Sequence, residues 1–170
     1  MYAFDFVRPA TVADAVKALS GEDAQALGGG QTLIPTLKQR LAKPATLVSL
    51  GGIAEMKGVC RADDGSVAIG GATTHATVAR EAASLYPALA ALAGQIGDPA
   101  VRSRGTIGGS LANNDPSACY PSAALASGAT IVTDRRRIAA DDFFQGMFTT
   151  ALDPGEIIVE VRFPVPEKAA

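Results

Sequence analysis

The chain has 170 residues, a length that suits one domain of ordinary size or two small lobes that share a core. Hydrophobic residues make up 48% of the sequence but aromatic residues only 5%, and Trp is absent, so the core must be built from Ala, Val, Leu and Ile. The formal net charge is −2 and no basic stripe is present, which argues against a nucleic-acid-binding protein.

The first 52 residues alternate between strand and helix patterns. The predicted strands are "AFDFV", "AQAL" and "TLVSL", at residues 3–7, 24–27 and 46–50. The predicted helices are "TVADAVKALSG" and "LIPTLKQRLA", at residues 11–21 and 33–42. Thr11 is the expected N-cap of the first helix. This order of elements predicts a small right-handed parallel unit over residues 1–52.

After Gly51 the pattern changes, and residues 53–164 predict a second unit with helices and a mixed or antiparallel sheet. Hairpins are predicted in "MKGVCRADDGSVAIGG" and in the second half of "AALASGATIVTDRRRIAA", at residues 56–71 and 123–140. Helices are predicted at residues 73–85 and 86–96, and at the start of the second hairpin segment. "DDFFQGMFTTAL" (141–152) predicts irregular structure, and "EIIVEVRFP" (156–164) predicts a final strand.

Two glycine-rich stretches are the candidates for a binding site, and both are predicted to be loops. They are "LGGGQTLIP" (27–35) and "GTIGGSLANNDP" (105–116). Because glycine has no Cβ, a ligand can approach the main chain closely. Bare N–H groups beside small hydroxyl or amide side chains form a donor surface for an anion such as pyrophosphate. The alternative is that these glycines only make turns.

Neither stretch fits the standard phosphate-binding motifs. In "GGGQTL" Leu33 stands where G-x-G-x-x-G requires its last glycine, and Lys38 is not preceded by the glycine of a P-loop. A standard dinucleotide-binding fold and a P-loop are therefore both disfavoured.

Four stretches together resemble the FAD-binding medium subunit of molybdenum hydroxylases, of the aerobic carbon monoxide dehydrogenase and xanthine dehydrogenase type. They are "GGGQTLIP", "GATTHATV", "IGDPAVRSRGTIGGSLANNDP" and "DDFFQGMFTTALDPGEIIVEVRFPVP". The resemblance implies an α+β fold made of two α/β subdomains of the vanillyl-alcohol oxidase (PCMH) type. Subdomain 1 would span 1–52, subdomain 2 would span 53–164, and 165–170 would be a tail. Members of the family usually continue into a further C-terminal domain, which this chain is expected to lack.

The resemblance also implies which residues bind the cofactor. The residues that match the family's first loop are Gly28, Gly29, Gly30, Gln31, Thr32 and Leu33. Those that match or follow its second loop are Thr106, Ile107, Gly108, Gly109, Ser110, Asn114 and Cys119. Cys119 departs from the pattern, because many relatives carry an Asp there and a thiol is a much weaker acceptor than a carboxylate. We expect a buried, inert thiol at this position.

No residue is predicted to be catalytic, and no metal site is predicted. His75 is the only histidine, so a His-rich metal site is excluded, and we expect a helix-start residue near the cofactor. The two cysteines, Cys60 and Cys119, form no CxxC pair. No signal peptide and no membrane-spanning run is evident, which predicts a cytoplasmic location.

The resemblance implies an electron-transfer role within a larger enzyme. FAD would pass electrons from a [2Fe–2S] subunit to an external acceptor, and a large molybdenum subunit would oxidise the substrate. The molybdenum cofactor and the iron–sulfur clusters would lie on these partners, arranged as a dimer of heterotrimers. The chain would then be an oxidoreductase component that is inactive alone. The alternatives are a non-catalytic nucleotide-binding or assembly module, and a stand-alone FAD reductase of the same fold.

Overall fold

The computed structural model describes residues 1–166 of the chain. These residues contain three β-sheets and eight α-helices, and a short 3-10 helix at Ala54–Met56. The last residues of the predicted tail, 167–170, lie outside the described residues. None of the helices within 1–166 is both long and apolar enough to cross a membrane.

The first sheet is the small parallel unit that the sequence predicts. Its strands are β1 (Asp5–Val7), β2 (Ala24–Leu27) and β3 (Thr46–Ser49), arranged in the order β1-β3-β2 with both pairs parallel. The connections contain α1 (Val12–Leu19) and α2 (Leu33–Lys38). Thr11 caps α1 as expected, since its side chain accepts a hydrogen bond from the N–H of Asp14. The second helix is four residues shorter than the predicted range of 33–42.

The second sheet is antiparallel and has the final strand at its centre. The strands are β4 (Val59–Arg61), β5 (Val67–Gly70), β6 (Thr130–Thr133), β7 (Arg137–Ala139) and β10 (Ile158–Phe163). Their order is β4-β5-β10-β6-β7, so both predicted hairpins are present and β10 joins them. The turn of the first hairpin contains Gly65 at a φ of 81°, a conformation that favours glycine.

Most of the helices belong to the segment between β5 and β6. They are α3 (His75–Glu81), α4 (Pro87–Gln95), α5 (Pro99–Arg104), α6 (Ile107–Asn113) and α7 (Cys119–Ser127). The main core contains side chains from this segment and from the second sheet, with Tyr120, Phe143 and Phe163 among its largest fully buried members.

Two predictions of irregular structure were wrong. Residues 141–152 contain the end of α8 (Ala140–Phe143) and a short hairpin of β8 (Phe144–Gly146) and β9 (Thr149–Thr150). The second glycine-rich stretch contains α6 instead of a loop. Two contacts offset the low helix propensity of glycine here: the local N-cap from Thr106, and the packing of Gly108 on the distant Gly71 backbone.

A smaller core lies under the first sheet, and it includes residues from far along the chain. Ala15, Leu19 and Val48 pack there with Ile53, Met56, Ala72 and Ile157. Segments before and after residue 52 therefore share this core, and Val159 of β10 packs against it. The division into subdomains at residue 52 stays a prediction.

Candidate cofactor site

A cleft of about 400 Å³ brings the two glycine-rich stretches together. The predicted site residues that line it are Gly28, Gly29, Gly30, Gln31, Thr32, Leu33, Thr106, Gly108, Gly109 and Ser110. The first six follow β2, at the carboxyl end of a parallel strand, which is the edge where open α/β sheets bind their ligands. The other four belong to the start of α6 and its N-cap.

The two stretches touch each other directly, and several glycines are required by that packing. A methyl group on Gly29 would overlap the carbonyl oxygen of Arg104. A methyl on Gly108 would lie 2.6 Å from the carbonyl oxygen of Gly71. In contrast, a methyl on Gly109 would approach only the Thr106 hydroxyl, at 2.9 Å. Gly109 is also exposed, so it is open to a ligand in a way that Gly29 and Gly108 are not.

The consecutive free backbone donors of the cleft come from the first stretch. The N–H groups of residues 28–33, which we call the glycine cradle, donate to no other group within residues 1–166. The N–H groups at the start of α6 are already used by the protein. That of Ile107 donates to Thr73 O, that of Gly108 to Gly71 O, and that of Gly109 to the Thr106 hydroxyl. The expectation that both stretches present bare N–H groups therefore holds as a consecutive run for the first only, because in the second stretch the free N–H groups of Thr106 and Asp115 are separated by paired ones.

The second stretch contributes polar side chains instead. Ser110 and Asn113 line the cleft, and neither side chain forms a hydrogen bond within the described part of the chain. Asp115 also lines the cleft, but its carboxylate accepts hydrogen bonds from the N–H and the hydroxyl of Ser117. The bond from the Ser117 N–H, and to a smaller extent the bond from its hydroxyl, lower the pKa of Asp115. The same two bonds identify Asp115 as a turn residue.

Comparison with known proteins decides the family. Residues 2–166 match the family described as "FAD binding domain in molybdopterin dehydrogenase". The chain belongs to this family. It is 41% identical to the carbon monoxide dehydrogenase medium chain of Afipia carboxidovorans over 96% of this chain and 59% of that one. It is 37% identical to the nicotine 6-hydroxylase medium subunit of Paenarthrobacter nicotinovorans, over 95% and 59%.

Solved structures of this family have the same fold. Carbon monoxide dehydrogenase from Oligotropha carboxidovorans aligns with a TM-score of 0.92 and 39% identity, over 97% of this chain and 60% of that one. Quinoline 2-oxidoreductase from Pseudomonas putida 86 aligns with a TM-score of 0.93 and 33% identity, over 98% and 60%. The chain thus spans about three-fifths of the length of these relatives.

Three predicted site residues of the family pattern lie outside the lining of the cleft. Ile107 is fully buried in the main core. Asn114 ends α6 in the left-handed region, and its side-chain amide donates to Gly146 O at 2.7 Å and Thr149 O at 2.9 Å. It therefore anchors the β8–β9 hairpin. Cys119 begins α7 and its thiol is exposed, so the expectation of a buried cysteine was wrong.

His75 begins α3, as expected, and it lines the cleft. Its backbone N–H donates to Gly105 O, and Thr74 pairs with Thr106 in an isolated β-bridge. These contacts join the starts of α3 and α6. Burial lowers the pKa of His75 to about 4, so its imidazole is neutral at pH 7.

Sequence reasoning missed the part of the cleft formed by the residues after β5 and around the start of β10. Gly71, Ala72, Leu152, Ile157 and Ile158 also line it. A methyl on Gly71 would overlap the carbonyl oxygen of Ile158, and one on Gly70 would overlap that of Met56, so the double glycine that ends "VAIGG" reflects close backbone packing. In the sequence, that double glycine is the feature that could have pointed to this part of the cleft. The residues before β10 include Asp153, Gly155 and Glu156, and none of them was predicted to belong to the site, although Glu156 also lines the cleft.

The residues present fit the cofactor that the family description names. FAD carries an anionic pyrophosphate, and the glycine cradle supplies consecutive free donors for such a group. The apolar side chains of Leu33 and Leu152 supply walls that suit aromatic rings. Residues 1–166 contain no cluster of His, Cys, Asp or Glu that could hold a metal ion.

Proposed function

We propose that this chain binds FAD in the cleft and serves as the electron-transferring flavoprotein part of a molybdenum-containing hydroxylase or dehydrogenase. The observation that carries the proposal is the glycine cradle, a run of unpaired N–H groups in the wall of a cleft, in a chain of this family. Glycines that served only to make turns would not need to leave a run of unpaired N–H groups beside a cavity.

The chain's own residues have separable tasks in this proposal. The N–H groups of residues 28–33 bind the phosphate oxygens, and the hydroxyls of Thr32 and Ser110 add side-chain donors. The apolar side chains of Leu33, Leu152 and Ile157 exclude water from the rest of the cleft. FAD, when bound, supplies the redox chemistry, while the protein supplies binding, orientation and electrostatics.

The same proposal extends to the type of fold and to the partner subunits. We assign the two sheets and their helices to the vanillyl-alcohol oxidase (PCMH) type of FAD-binding fold, in a cytoplasmic protein. The partners are a large molybdenum subunit and a small iron–sulfur subunit, in a dimer of heterotrimers. Relatives whose names describe them as medium chains or subunits of dehydrogenases and hydroxylases support an assembly of several different subunits. This sequence has only two cysteines, too few for a cluster held by four thiolates.

Titration calorimetry with purified protein tests the proposal. We expect FAD to bind, ADP to compete with it, and riboflavin to compete much more weakly, because the free donors lie where the phosphates would bind. An absorption spectrum of the protein purified from its native host would then show bound flavin. Tight binding of ATP or NAD with no response to FAD would contradict the proposal and favour a nucleotide-binding module.

A further inference from the structure

Two polar atoms buried beside the cleft have no hydrogen-bond partner within residues 1–166. They are Nδ1 of His75 and the hydroxyl of Tyr120, in side chains whose residues are 5% and 0% exposed. The two rings are neighbours, with centroids 5.3 Å apart and planes tilted by 46°. Buried polar groups are normally paired, so two orphans side by side call for a specific explanation.

The imidazole lies between Tyr120 and the glycine cradle. A methyl on Gly105 would lie 2.5 Å from His75 Nε2 and 2.9 Å from Cδ2, so this edge of the ring rests on Gly105. A methyl on Gly29 would in turn lie 2.5 Å from the Gly105 Cα. Four residues therefore lie next to one another in a row, in the order Tyr120, His75, Gly105 and Gly29. His75 lines the cleft although its Nδ1 is buried, which leaves Nε2 as the ring nitrogen on the cleft side.

One protonation pattern satisfies both orphan atoms. Burial keeps the imidazole uncharged, so one of its nitrogens carries a proton and the other is an acceptor. Burial, with a smaller effect of the Cys119 thiol, raises the pKa of Tyr120, so the phenol is also uncharged and remains a donor. No direct hydrogen bond joins the two atoms. If the Tyr120 hydroxyl donates to one bridging water that in turn donates to Nδ1, the imidazole proton must be on Nε2.

We propose that His75 is a further cofactor-binding residue, whose Nε2–H, fixed by Tyr120 behind it, donates to a phosphate oxygen of FAD in the cleft. This inference rests on the proposed function. The neutral ring adds a donor next to the backbone N–H groups of residues 28–33 without adding a charge. Tyr120 is a positioning residue, since it acts through His75.

The single histidine makes a direct test possible. In protein labelled with ¹⁵N-histidine, one pair of ring nitrogen resonances is present and needs no assignment between residues. We expect the neutral Nε2–H tautomer in the free protein. Addition of ADP, which carries the pyrophosphate, should shift the Nε2 resonance, whereas riboflavin should not. Tyr120→Phe should shift the Nδ1 resonance, an effect that a merely structural role of Tyr120 would not produce.

Binding measurements on two variants complete the test. His75→Phe keeps a ring of similar size and should weaken FAD binding about 10- to 100-fold, the loss of one hydrogen bond to a charged group. His75→Gln, whose amide can reach the Nε2 position, should recover part of that affinity. A wild-type protein that does not bind FAD would overturn both this inference and the proposed function. Equal FAD affinity in wild type and His75→Phe, or an Nδ1–H tautomer that ADP does not change, would overturn this inference alone.

Discussion

At the scale of single residues, the glycines of the cleft serve two different purposes. Gly29 and Gly108 are required because a neighbouring backbone fills the place of their Cβ. Gly109 faces the cleft and meets only the Thr106 hydroxyl, and its helical backbone does not need a positive φ. Substitutions should therefore separate folding from ligand binding.

We expect Gly29→Ala to lower the free energy of unfolding by about 1–3 kcal/mol, because the methyl overlaps the Arg104 carbonyl and the backbone must move.

Gly109→Val should have a free energy of unfolding within about 1 kcal/mol of the wild-type value, since the loss of the Thr106 cap is partly offset by the higher helix propensity of valine. It should nevertheless bind FAD about tenfold more weakly or worse. Urea unfolding without cofactor and FAD titration check both variants. A Gly109→Val protein with unchanged affinity would mean that the ligand does not approach this glycine.

At the scale of elements, a buried carboxylate fixes the strand that forms one wall of the cleft. Glu156 has a fully buried side chain that accepts hydrogen bonds from Arg136 Nε at 3.0 Å and Nη2 at 2.8 Å. It also accepts from the Thr133 hydroxyl at 2.7 Å and from the Asp153 N–H at 2.8 Å. Glu156 thus ties the β6–β7 hairpin to the entrance of β10, whose Ile158 lines the cleft.

This clamp predicts a specific pH dependence of stability. The hydrogen bond from Arg136, followed by those from Asp153 and Thr133, lowers the pKa of Glu156 to about 2. A carboxyl with a depressed native pKa stabilises the fold above its unfolded-state pKa and loses that effect as the pH falls towards its native value. The Glu156 contribution should therefore be complete at pH 7 and disappear between about pH 4.5 and pH 2.

We expect Glu156→Gln to lower the free energy of unfolding by about 2 kcal/mol at pH 7, the worth of its hydrogen bonds from a charged group. The difference from wild type should shrink as the pH falls to 2. Asp153→Asn is the control, because the Asp153 side chain is 60% exposed and its contact with Arg136 should contribute little. Denaturant unfolding at several pH values measures both. If wild type and Glu156→Gln differed in free energy of unfolding by the same amount at pH 7 and at pH 2, the charge of Glu156 would not be the source of the stabilisation.

At the scale of the whole molecule, the two sheets depend on one another. The core under the first sheet is completed by Ile53, Met56, Ala72 and Ile157, all of which follow residue 52. The cleft is likewise lined from both sides. The first 52 residues therefore lack part of the apolar contacts that their own sheet requires.

We predict that residues 1–52 do not fold alone and that the whole chain unfolds in one cooperative transition. Without the four later side chains, the fragment cannot bury enough apolar surface to offset its conformational entropy. Circular dichroism and the dispersion of amide proton resonances would show this for the fragment. A stably folded fragment, or two separate transitions in the whole chain, would establish residues 1–52 as an independent domain.

Local patterns in the sequence were sufficient to predict the parallel unit, both hairpins and the final strand, because alternation, caps and turn residues act over a few neighbours. They also located both halves of the candidate site, since glycines beside small polar residues are visible without a structure. Tertiary structure alone decided that Asn114 anchors a hairpin and that Cys119 is exposed. It also decided which glycines have room for a ligand and which N–H groups are free. These properties depend on contacts between residues that are tens of positions apart, such as Gly29 with Arg104 and Gly108 with Gly71, and no local pattern specifies such contacts.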